Sequence, residues 1–580
     1  MNTPIYDFVC RYRDLRPARF HMPGHKGRGP LGCEELDLTE IPGADSLYEA
    51  AGIIAESEAN ASRLFGCPTF YSTEGSSHCI RAMLLLAMQY VCRDLPCLSA
   101  DSDKASGSRQ QATGEDPVGG GVLDAPNVSD PGSCGASRTP PPTEMGKRFR
   151  VLAARNVHKS FLSAAALLDL DVAWLPAKAD GSYLSADPTP EALDAALAET
   201  GAQAVYLTCP DYLGFLPDLR PLARVCHARG ALLLVDNAHG AYLRFLPESR
   251  HPMDLGADLC CDSAHKTLPV LTGGAYLHVK ATEDGGCEAA GFRQTSPACR
   301  GGGPPTRAVE GSSRRQSPSI DADTEDGFLA APGMTERESR AVRDALALFG
   351  SSSPSYLILQ SLDLANPCLE ALPAKLAAFL PKVEALKARL TAAGWRPVGD
   401  EPLKLTLALS PAGTAKTSPA CRGGGPAARP VEGCLPSTAA SSGLALAAAL
   451  EQQGIFCEFA DPDYIVFMLS PAHTEEELAR LEQALAGTAL CRPAFGTNAF
   501  AGGKSGASAS DLPASLCSIR EAMLSPAVTV PASESLGRIL ARPCVSCPPA
   551  VPILMPGERI TETELAAFER YGIKTVSVFF

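Results

Sequence analysis

Apolar and polar positions along the chain follow two alternating periods, which predict strands and helices in turn. Short apolar runs at residues 149–153, 202–207 and 231–235 predict strands. Helical spacing at residues 190–197 and 219–228 predicts the helices that separate them. Because strands that alternate with helices of this length form mostly parallel sheets with helices on both faces, the pattern predicts an α/β fold.

The same alternation continues in the second half of the chain and predicts a smaller α/β unit there. Helical spacing at 335–347 and 372–393 comes first, and another helix opens after the Ser351–Tyr356 segment. The strands and helices of the smaller unit are then expected at 404–409, 444–453, 465–469 and 475–486. The longest apolar stretch, residues 80–92, contains Arg81 and Gln89 and is too short to span a bilayer, so we interpret it as a core helix.

Three segments interrupt the pattern, at residues 99–146, 283–326 and 413–443. They are rich in Gly, Ser, Pro and Asp, a composition that buries too little apolar surface to offset the entropy of ordering, so we predict disordered surface insertions. Residues 295–311 and 417–433 are repeats that match at 14 of 17 positions. We interpret them as duplicated insertions without a catalytic role; a basic docking peptide is the alternative.

These interruptions suggest a division of the chain into domains. We predict a large domain over 1–360, a small α/β domain over 361–490, a linker at 491–517 and a short Pro-rich C-terminal domain over 518–580.

Composition narrows the classes of partner and compartment. The 580 residues carry a formal net charge of −14 and are 45% hydrophobic, which is enough apolar material for more than one core and argues against nucleic-acid or anionic-membrane partners. No apolar run within residues 1–20 has the form of a secretory signal, so we expect a cytoplasmic protein whose 21 cysteines are reduced. Cys544 and Cys547 form a C-x-x-C pair without a second ligand pair, and we predict no metal site.

Lys266 and Asp236 have the residue types and positions that suggest a cofactor. Asp236 ends an apolar strand, and Lys266 follows thirty positions later in an Asp-Ser-Ala-His-Lys sequence. A lysine forms a Schiff base with the aldehyde of pyridoxal phosphate (PLP), and a carboxylate keeps the pyridine nitrogen protonated, so that the cofactor becomes an electron sink. A solvated lysine and a turn-capping aspartate are the simpler alternatives. Ala238 favours the first interpretation because it is small enough for a flat ring to lie against it.

Two further sites complete the hypothesis from the residues alone. His158 follows a predicted strand at the edge where ligands of such sheets bind, and its imidazole is suited to stacking on a pyridine ring. Gly75, Ser76 and Ser77 precede the helix at 80–92, where free N–H groups and the helix dipole favour a phosphate. The alternatives are a solvent-exposed histidine and an ordinary helix cap by Ser76 or Ser77.

Taken together, five motifs in order resemble the Orn/Lys/Arg decarboxylase family, in its shorter bacterial branch without an N-terminal wing domain. A proline-rich segment at 548–558 also resembles the C-terminal domain of that family. The motifs are 20–27 (FHMPGHKG), 155–160 (RNVHKS), 236–240 (DNAHG), 263–269 (SAHKTLP) and 353–356 (SPSY).

The resemblance implies a fold type I PLP enzyme with an aspartate-aminotransferase-like large domain, acting as a homodimer. It implies that Lys266 carries the cofactor, that Asp236 pairs with the pyridine nitrogen and that His158 stacks on the ring. Ser352 or Ser353 would reach the cofactor of the neighbouring subunit. The remaining residues implied on the cofactor side, several of them at its phosphate, are Gly75, Ser76, Ser77, Ala238, His239, Ser263 and His265.

The resemblance also implies a reaction, the decarboxylation of arginine, lysine or ornithine to the corresponding polyamine-pathway amine and CO2. Arginine is favoured by the family branch. Asn237 stands where the family commonly has Glu, and Glu74 stands where it often has Asn, so the substrate stays open. The alternatives are another fold type I PLP enzyme, an aminotransferase or a lyase, and a non-catalytic protein of the same fold.

Overall fold

The computed structural model describes most of the chain outside the segments that interrupt the sequence pattern. The predicted insertions at 99–146 and 283–326 and both repeats lie outside the described residues, as do most of 413–443 and most of the predicted linker. The described residues are 1–94, 148–175, 182–281, 330–409, 442–487, 513, 515–544 and 549–580.

A seven-stranded sheet forms the centre of the large domain. Its strands are β1 (Thr69–Ser72), β2 (Arg150–Ala154), β3 (Asp171–Leu175), β4 (Ala204–Thr208), β5 (Leu232–Asp236), β6 (Leu259–Asp262) and β7 (Ala275–Val279). They lie in the spatial order β1-β7-β6-β5-β4-β2-β3. Only β7 runs antiparallel to its neighbours in this sheet, so the prediction of a mostly parallel sheet is confirmed.

Helices cover both faces of this sheet, because successive side chains of a strand point to opposite faces. Val151 of β2 joins a core with the helices that begin at residues 76, 159 and 336, whereas Leu152 joins a second core with the helices that begin at 190 and 219. The helices of this domain are α1 (Pro4–Asp14), α2 (Ile53–Phe65), α3 (Ser76–Asp94), α4 (Lys159–Leu168), α5 (Pro190–Thr200), α6 (Leu219–Ala228), α7 (Ala264–Thr267), α8 (Glu336–Phe349) and α9 (Tyr356–Glu370).

The small domain contains an antiparallel sheet covered by helices. Its strands lie in the order β10-β11-β9-β8, and α9 runs across the predicted boundary at residue 360. Its elements are α10 (Leu372–Ala392), β8 (Pro397–Val398), β9 (Lys404–Ala408), α11 (Gly443–Glu451), β10 (Phe459–Ala460), β11 (Tyr464–Met468) and α12 (Glu475–Gly487).

The C-terminal domain is a compact unit around an antiparallel strand pair. Its elements are α13 (Ile519–Leu524), β12 (Ala527–Pro531), α14 (Glu562–Arg570) and β13 (Thr575–Phe579). Leu540, Phe568 and Val578 lie in its own buried core. None of the described helices has both the length and the apolar character that crossing a bilayer requires.

Candidate active site

The carboxyl ends of three parallel strands meet at one edge of the large sheet. Asp236 is the last residue of β5, and it lies in register with Thr208 at the end of β4 and with Cys261 in β6. The chain leaves β6 through Ser263, which precedes α7, the single helical turn that carries Lys266. The topology therefore brings the predicted acid and the predicted lysine to the same place.

Lys266 lies in a recess of the protein. Its side chain is exposed to solvent, yet burial by surrounding atoms lowers the pKa of its amine, with Asp236 opposing that shift. The amine nitrogen is 3.1 Å from Nε2 of His239. Because burial also lowers the pKa of His239 far below its usual value, the imidazole is neutral and accepts a hydrogen bond from the amine. An accessible amine with a lowered pKa is suited to attack on a carbonyl.

Asp236 is only 2% exposed and is held by directed hydrogen bonds. Oδ2 accepts from the hydroxyl of Tyr206 at 3.1 Å, and Oδ1 accepts from the backbone N–H of Ala238 at 3.2 Å. Burial raises the pKa of Asp236, whereas the charge of Lys266 and these hydrogen bonds lower it. A cation near the carboxylate therefore favours its ionised form.

His158 is the N-cap residue of α4. Its Nδ1 accepts from the backbone N–H of Ser160 at 3.2 Å and lies 2.8 Å from the Ser160 hydroxyl. Burial, together with the charges of Lys266 and Lys159, lowers the pKa of His158 to about 4. At neutral pH the site therefore contains a neutral imidazole with a fixed orientation, close enough to Lys266 to be affected by its charge.

The turn before α3 has the features of an anion site. Gly75 has a φ of +74°, and the helix starts immediately after it at Ser76. The Ser76 hydroxyl accepts from Ser263 at 2.7 Å, which joins this turn to the start of α7. The Ser77 and Ser160 hydroxyls are 2.6 Å apart. Since the first N–H groups of a helix have no intrahelical partner, the turn presents donors toward the site.

The other predicted cofactor-side residues lie around this group. His265 donates from Nδ1 to the Gly274 carbonyl at 3.0 Å, and burial lowers its pKa. Ser352 and Ser353 are exposed, in the segment where the Ser351 N–H donates to Glu74 at 2.5 Å. Their predicted contact with a neighbouring subunit stays a prediction.

Buried polar atoms at the site have unused hydrogen-bonding capacity. Within the described residues, Nδ1 of His239, the Thr208 hydroxyl and both amide atoms of Asn156 have no hydrogen-bond partner. Unpaired buried polar groups are costly, and two of these residues, His239 beside Lys266 and Thr208 in register with Asp236, suit contact with a polar ligand. Together with the serine-lined turn, these groups fit PLP, which carries a phosphate, a phenolic oxygen and a ring nitrogen.

Two regions of the chain match models of known protein families. Residues 132–295 match the model described as Orn/Lys/Arg decarboxylase, major domain, and residues 518–571 match Orn/Lys/Arg decarboxylase, C-terminal domain. The chain is therefore similar to the Orn/Lys/Arg decarboxylase family over these two regions. Family and fold together support a PLP-dependent decarboxylase, and PLP is the cofactor they imply.

Individual relatives are similar to this protein over almost the whole chain. The uncharacterized protein YaaO of Bacillus subtilis (strain 168) is 24% identical and covers 98% of this chain and 94% of its own. The arginine decarboxylase of Halalkalibacterium halodurans is also 24% identical and covers 97% and 92%. The solved structure of the constitutive lysine decarboxylase of E. coli has a TM-score of 0.60 at 15% identity and covers 100% of this chain and 81% of its own. This structural likeness shows PLP fold type I.

Sequence reasoning missed several residues at this candidate site. Tyr206 bonds Asp236 from within β4, and only the strand register brings the two together. Of the missed residues, Ser160 is the one that a local sequence pattern could have indicated, because it stands in the RNVHKS motif. Glu458 of the small domain accepts a hydrogen bond from the Tyr212 hydroxyl at 3.0 Å, and its charge raises the pKa of Lys266. No local sequence pattern indicates either interaction.

A buried polar network contacts the turn that follows Asp236. Asn237 donates to Oδ1 of Asp262 at 2.6 Å, and Oδ2 of Asp262 lies 3.1 Å from Nε2 of both His251 and His278. Both histidines and the aspartate have no exposed surface. Although burial opposes ionisation, the two histidines lower the pKa of Asp262. Asn237 thus links this network to the turn after Asp236.

Proposed function

We propose that this protein decarboxylates a basic amino acid at the recess around Lys266, with arginine as the first candidate. PLP, when bound, supplies the electron sink for loss of CO2. We propose that Lys266 holds it covalently and that Asp236 pairs with the ring nitrogen. His158 would pack on the ring, and the turn around Ser76 would bind the phosphate. The proximity of Lys266, Asp236 and His158 supports these roles.

The proposal of a basic substrate rests on the position of the Glu458 carboxylate. This carboxylate comes from the small domain and raises the pKa of Lys266, and contacts through Tyr212 and His239 connect it to the lysine. Tyr212 holds it through a hydrogen bond, and the Tyr212 ring packs edge-on against His239 at 5.1 Å between centroids. In the described part of the chain, Glu458 has no ion-pair partner. An exposed carboxylate at this position is suited to bind a guanidinium or an ammonium group.

The residues beside Lys266 also suggest how protons are handled. The neutral His239 lies within hydrogen-bond distance of the amine, so it holds the Lys266 nitrogen and is able to exchange a proton with it. The closed surroundings of Asp236 exclude water from the carboxylate, which strengthens its interaction with a cationic ring nitrogen. The names of the relatives favour arginine among the basic amino acids.

The test is incubation of the purified chain and PLP with carboxyl-labelled arginine, lysine and ornithine, with released CO2, amine and keto acid measured separately. We expect CO2 and amine in equal amounts and no keto acid. Lys266→Ala should abolish both products. Glu458→Gln should raise KM for the preferred substrate by about tenfold or more while PLP binding is retained. Keto acid as the main product would indicate an aminotransferase, and absence of all products would refute the proposal.

We also propose a homodimer. Phe20, Met22 and Leu31 of the N-terminal segment are 95%, 70% and 83% exposed, a concentration of apolar side chains that suits a subunit contact. Ser352 and Ser353 lie exposed at the same side as the phosphate turn, beside Glu74. Light scattering after gel filtration should give twice the chain mass of 60.6 kDa; a single chain mass would contradict the dimer.

A further inference from the structure

The C-terminal domain holds helix α4 at both of its ends. At the start of the helix, the backbone N–H of Lys159 donates to the carbonyl of Ala550 at 2.9 Å. At its end, the guanidinium of Arg520 donates to the carbonyls of Ala166 and Leu167 at 2.9 and 3.1 Å. Terminal N–H and C=O groups of a helix lack intrahelical partners, so a second domain satisfies groups that the helix itself leaves unpaired.

A buried ion pair ties the same domain to the segment that leads into α4. Arg155 donates to both carboxylate oxygens of Glu558, at 2.7 and 2.8 Å, and Glu558 is only 1% exposed. One of these oxygens also accepts from the Met555 N–H at 2.9 Å, which fixes the carboxylate within its own domain. A two-point Arg–carboxylate contact defines orientation as well as distance. Arg155 precedes His158 by three residues, so the pair fixes the approach to the helix.

Apolar packing reinforces these polar contacts. Ile519 of α13 and Met555 are buried in the same core as Phe161 and Ala165 of α4. Ala550 has a φ of +55°, which L residues seldom adopt, so its carbonyl is held toward α4 by the surrounding domain and not by local preference.

Helix α4 begins with two groups of the candidate site. His158 is its N-cap residue, and Ser160 joins His158 to the serine turn through hydroxyl contacts of 2.8 Å and 2.6 Å. A shift of α4 along its axis would therefore move the imidazole and one hydroxyl relative to Asp236 and Lys266.

We propose that the C-terminal domain positions His158 and Ser160 for the cofactor by holding α4 at its two ends and at Arg155. The proposal rests on the cofactor role proposed above for His158. Arg155, Glu558 and Ala550 act as positioning residues, since none of them belongs to the cofactor recess. The domain thereby contributes to cofactor affinity from outside the site.

The test compares Glu558→Gln with Glu564→Gln in the full-length chain. Both substitutions replace a carboxylate by an amide in the same domain, but among the described residues Glu564 bonds only Thr561, at the start of α14. Two quantities are measured, amide hydrogen exchange of residues 159–163 in the chain without PLP, and PLP affinity by absorbance titration. For Glu558→Gln we expect faster exchange at the start of α4 and PLP affinity weaker by about tenfold, because small misplacements of site groups are costly. Glu564→Gln should change neither.

Two further variants keep the test decisive. Arg155→Lys retains the charge but loses the two-point contact, so it should produce the same changes at smaller size. It replaces Glu558→Gln in the test if that variant fails to fold. In the double variant Arg155→Gln/Glu558→Gln, the loss of affinity should be less than the product of the single losses, since the two residues act as a unit. Unchanged exchange in α4, or faster exchange with unchanged PLP affinity, would overturn the proposal. Failure of the wild-type chain to bind PLP would refute the proposed function instead, while the exchange comparison would still decide whether the domain holds α4.

Discussion

At the scale of single residues, the hydrogen bond from Tyr206 is one of the contacts that lower the pKa of the buried Asp236. Burial raises the pKa of Asp236, and the Tyr206 hydroxyl is one of the groups that lower it. Tyr206→Phe should therefore raise that pKa further. The carboxylate would then take up a proton at higher pH, so the acid limb of the pH profile of kcat should move toward higher pH, with about a tenfold loss of kcat at neutral pH.

Tyr276→Phe is the matched control for this change. Tyr276 is also fully buried, but its hydroxyl has no hydrogen-bond partner among the described residues. Its removal should leave the acid limb in place. An acid limb that does not move in Tyr206→Phe, or that moves equally in both variants, would refute the assigned role of Tyr206.

A second residue-scale prediction concerns Asp262 and its two histidines. His278 has a raised pKa because of Asp262, despite burial, so its contribution to stability is present below its usual value of 6.5 and is lost as pH rises through the folded-state value. The pKa of Asp262 is lowered, so its contribution is present above 3.8 and is lost only as pH falls through the folded-state value. Asp262→Asn should thus cost about 3–5 kcal/mol near pH 6 and less at pH 9.

Urea unfolding at the two pH values measures this difference. Asp194→Asn serves as the comparison, because Asp194 pairs with Arg229 at the exposed surface, where screening leaves little net stabilisation. It should cause a much smaller loss at both pH values. A loss in Asp262→Asn that is the same at pH 6 and pH 9 would contradict a charged His278–Asp262 pair.

Residues proposed to contact the cofactor were easier to identify from the sequence than residues that only hold other side chains in place. Asp236 and His158 stand at or just after the ends of predicted strands, and Lys266 stands in an Asp-Ser-Ala-His-Lys sequence, so each of the three has a local signal. His251 and His278 lie 27 residues apart in the sequence, and neither stands in a recognisable pattern. Only the pairing of β6 with β7 and the turn after Arg250 place both beside Asp262.

At the scale of elements, helices were predicted more accurately than strands. The bounds of α6 agree fully with the predicted 219–228, because its apolar positions recur at helical spacing between Asp218 and Gly230. In contrast, β6 has the sequence Leu-Cys-Cys-Asp, which lacks the β-branched residues typical of strands, and it was not predicted. Strand β7 was also missed, since it runs antiparallel and has no helix of normal length before it.

The start of α3 provides an element-scale prediction. Gly75 adopts a φ of +74° with nothing within 4 Å of an added Cβ, so Gly75→Ala meets no clash and its cost is backbone strain of about 1 kcal/mol. The strain should shift the first turn of α3 and weaken PLP binding. Absorbance titration with PLP measures the effect.

Gly201→Ala is the control that separates the loss of stability from the loss of PLP affinity. Gly201 ends α5 with a φ of +61° and equally open surroundings, remote from the serine turn. It should lose similar stability in thermal unfolding but retain full PLP affinity. Equal PLP affinity in Gly75→Ala and the wild-type chain would show that the turn does not bind the phosphate.

At the scale of the whole molecule, the contacts between distant parts of the chain could not be predicted from the sequence. Composition and motif order suggested a large, a small and a C-terminal unit, whereas the pairing of Arg155 with Glu558 joins residues 403 positions apart. Arg570 of the C-terminal domain likewise bonds Asp463 of the small domain. Such contacts depend on the folded surfaces of two domains at once, so no local pattern encodes them.

The contact between the large and small domains contains a buried ion pair with a testable pH dependence. Lys404 lies 2.7 Å from Glu401 and also donates to the Asp211 carbonyl across the interface, while the Tyr242 hydroxyl of the large domain donates to Glu401 at 3.3 Å. Burial raises the pKa of Glu401, and Lys404 opposes that shift. Lys404→Met leaves the buried carboxylate without its ion-pair partner, which should cost about 3–5 kcal/mol of unfolding free energy.

The cost of Lys404→Met should grow with pH. Loss of the cation raises the folded-state pKa of Glu401 further above its ordinary value of 4.5, so the folded state binds a proton that the unfolded state releases. Stability is then retained at low pH and lost as pH rises from about 4.5 through the folded-state value. Urea unfolding at pH 5.5 and pH 8 should show the larger deficit at pH 8. Lys382→Met, which removes an exposed partner of Glu475, should show little change at either pH. A deficit that is equal at both pH values would mean that Glu401 is not left as an uncompensated charge, and that the domains are held by their apolar contacts instead.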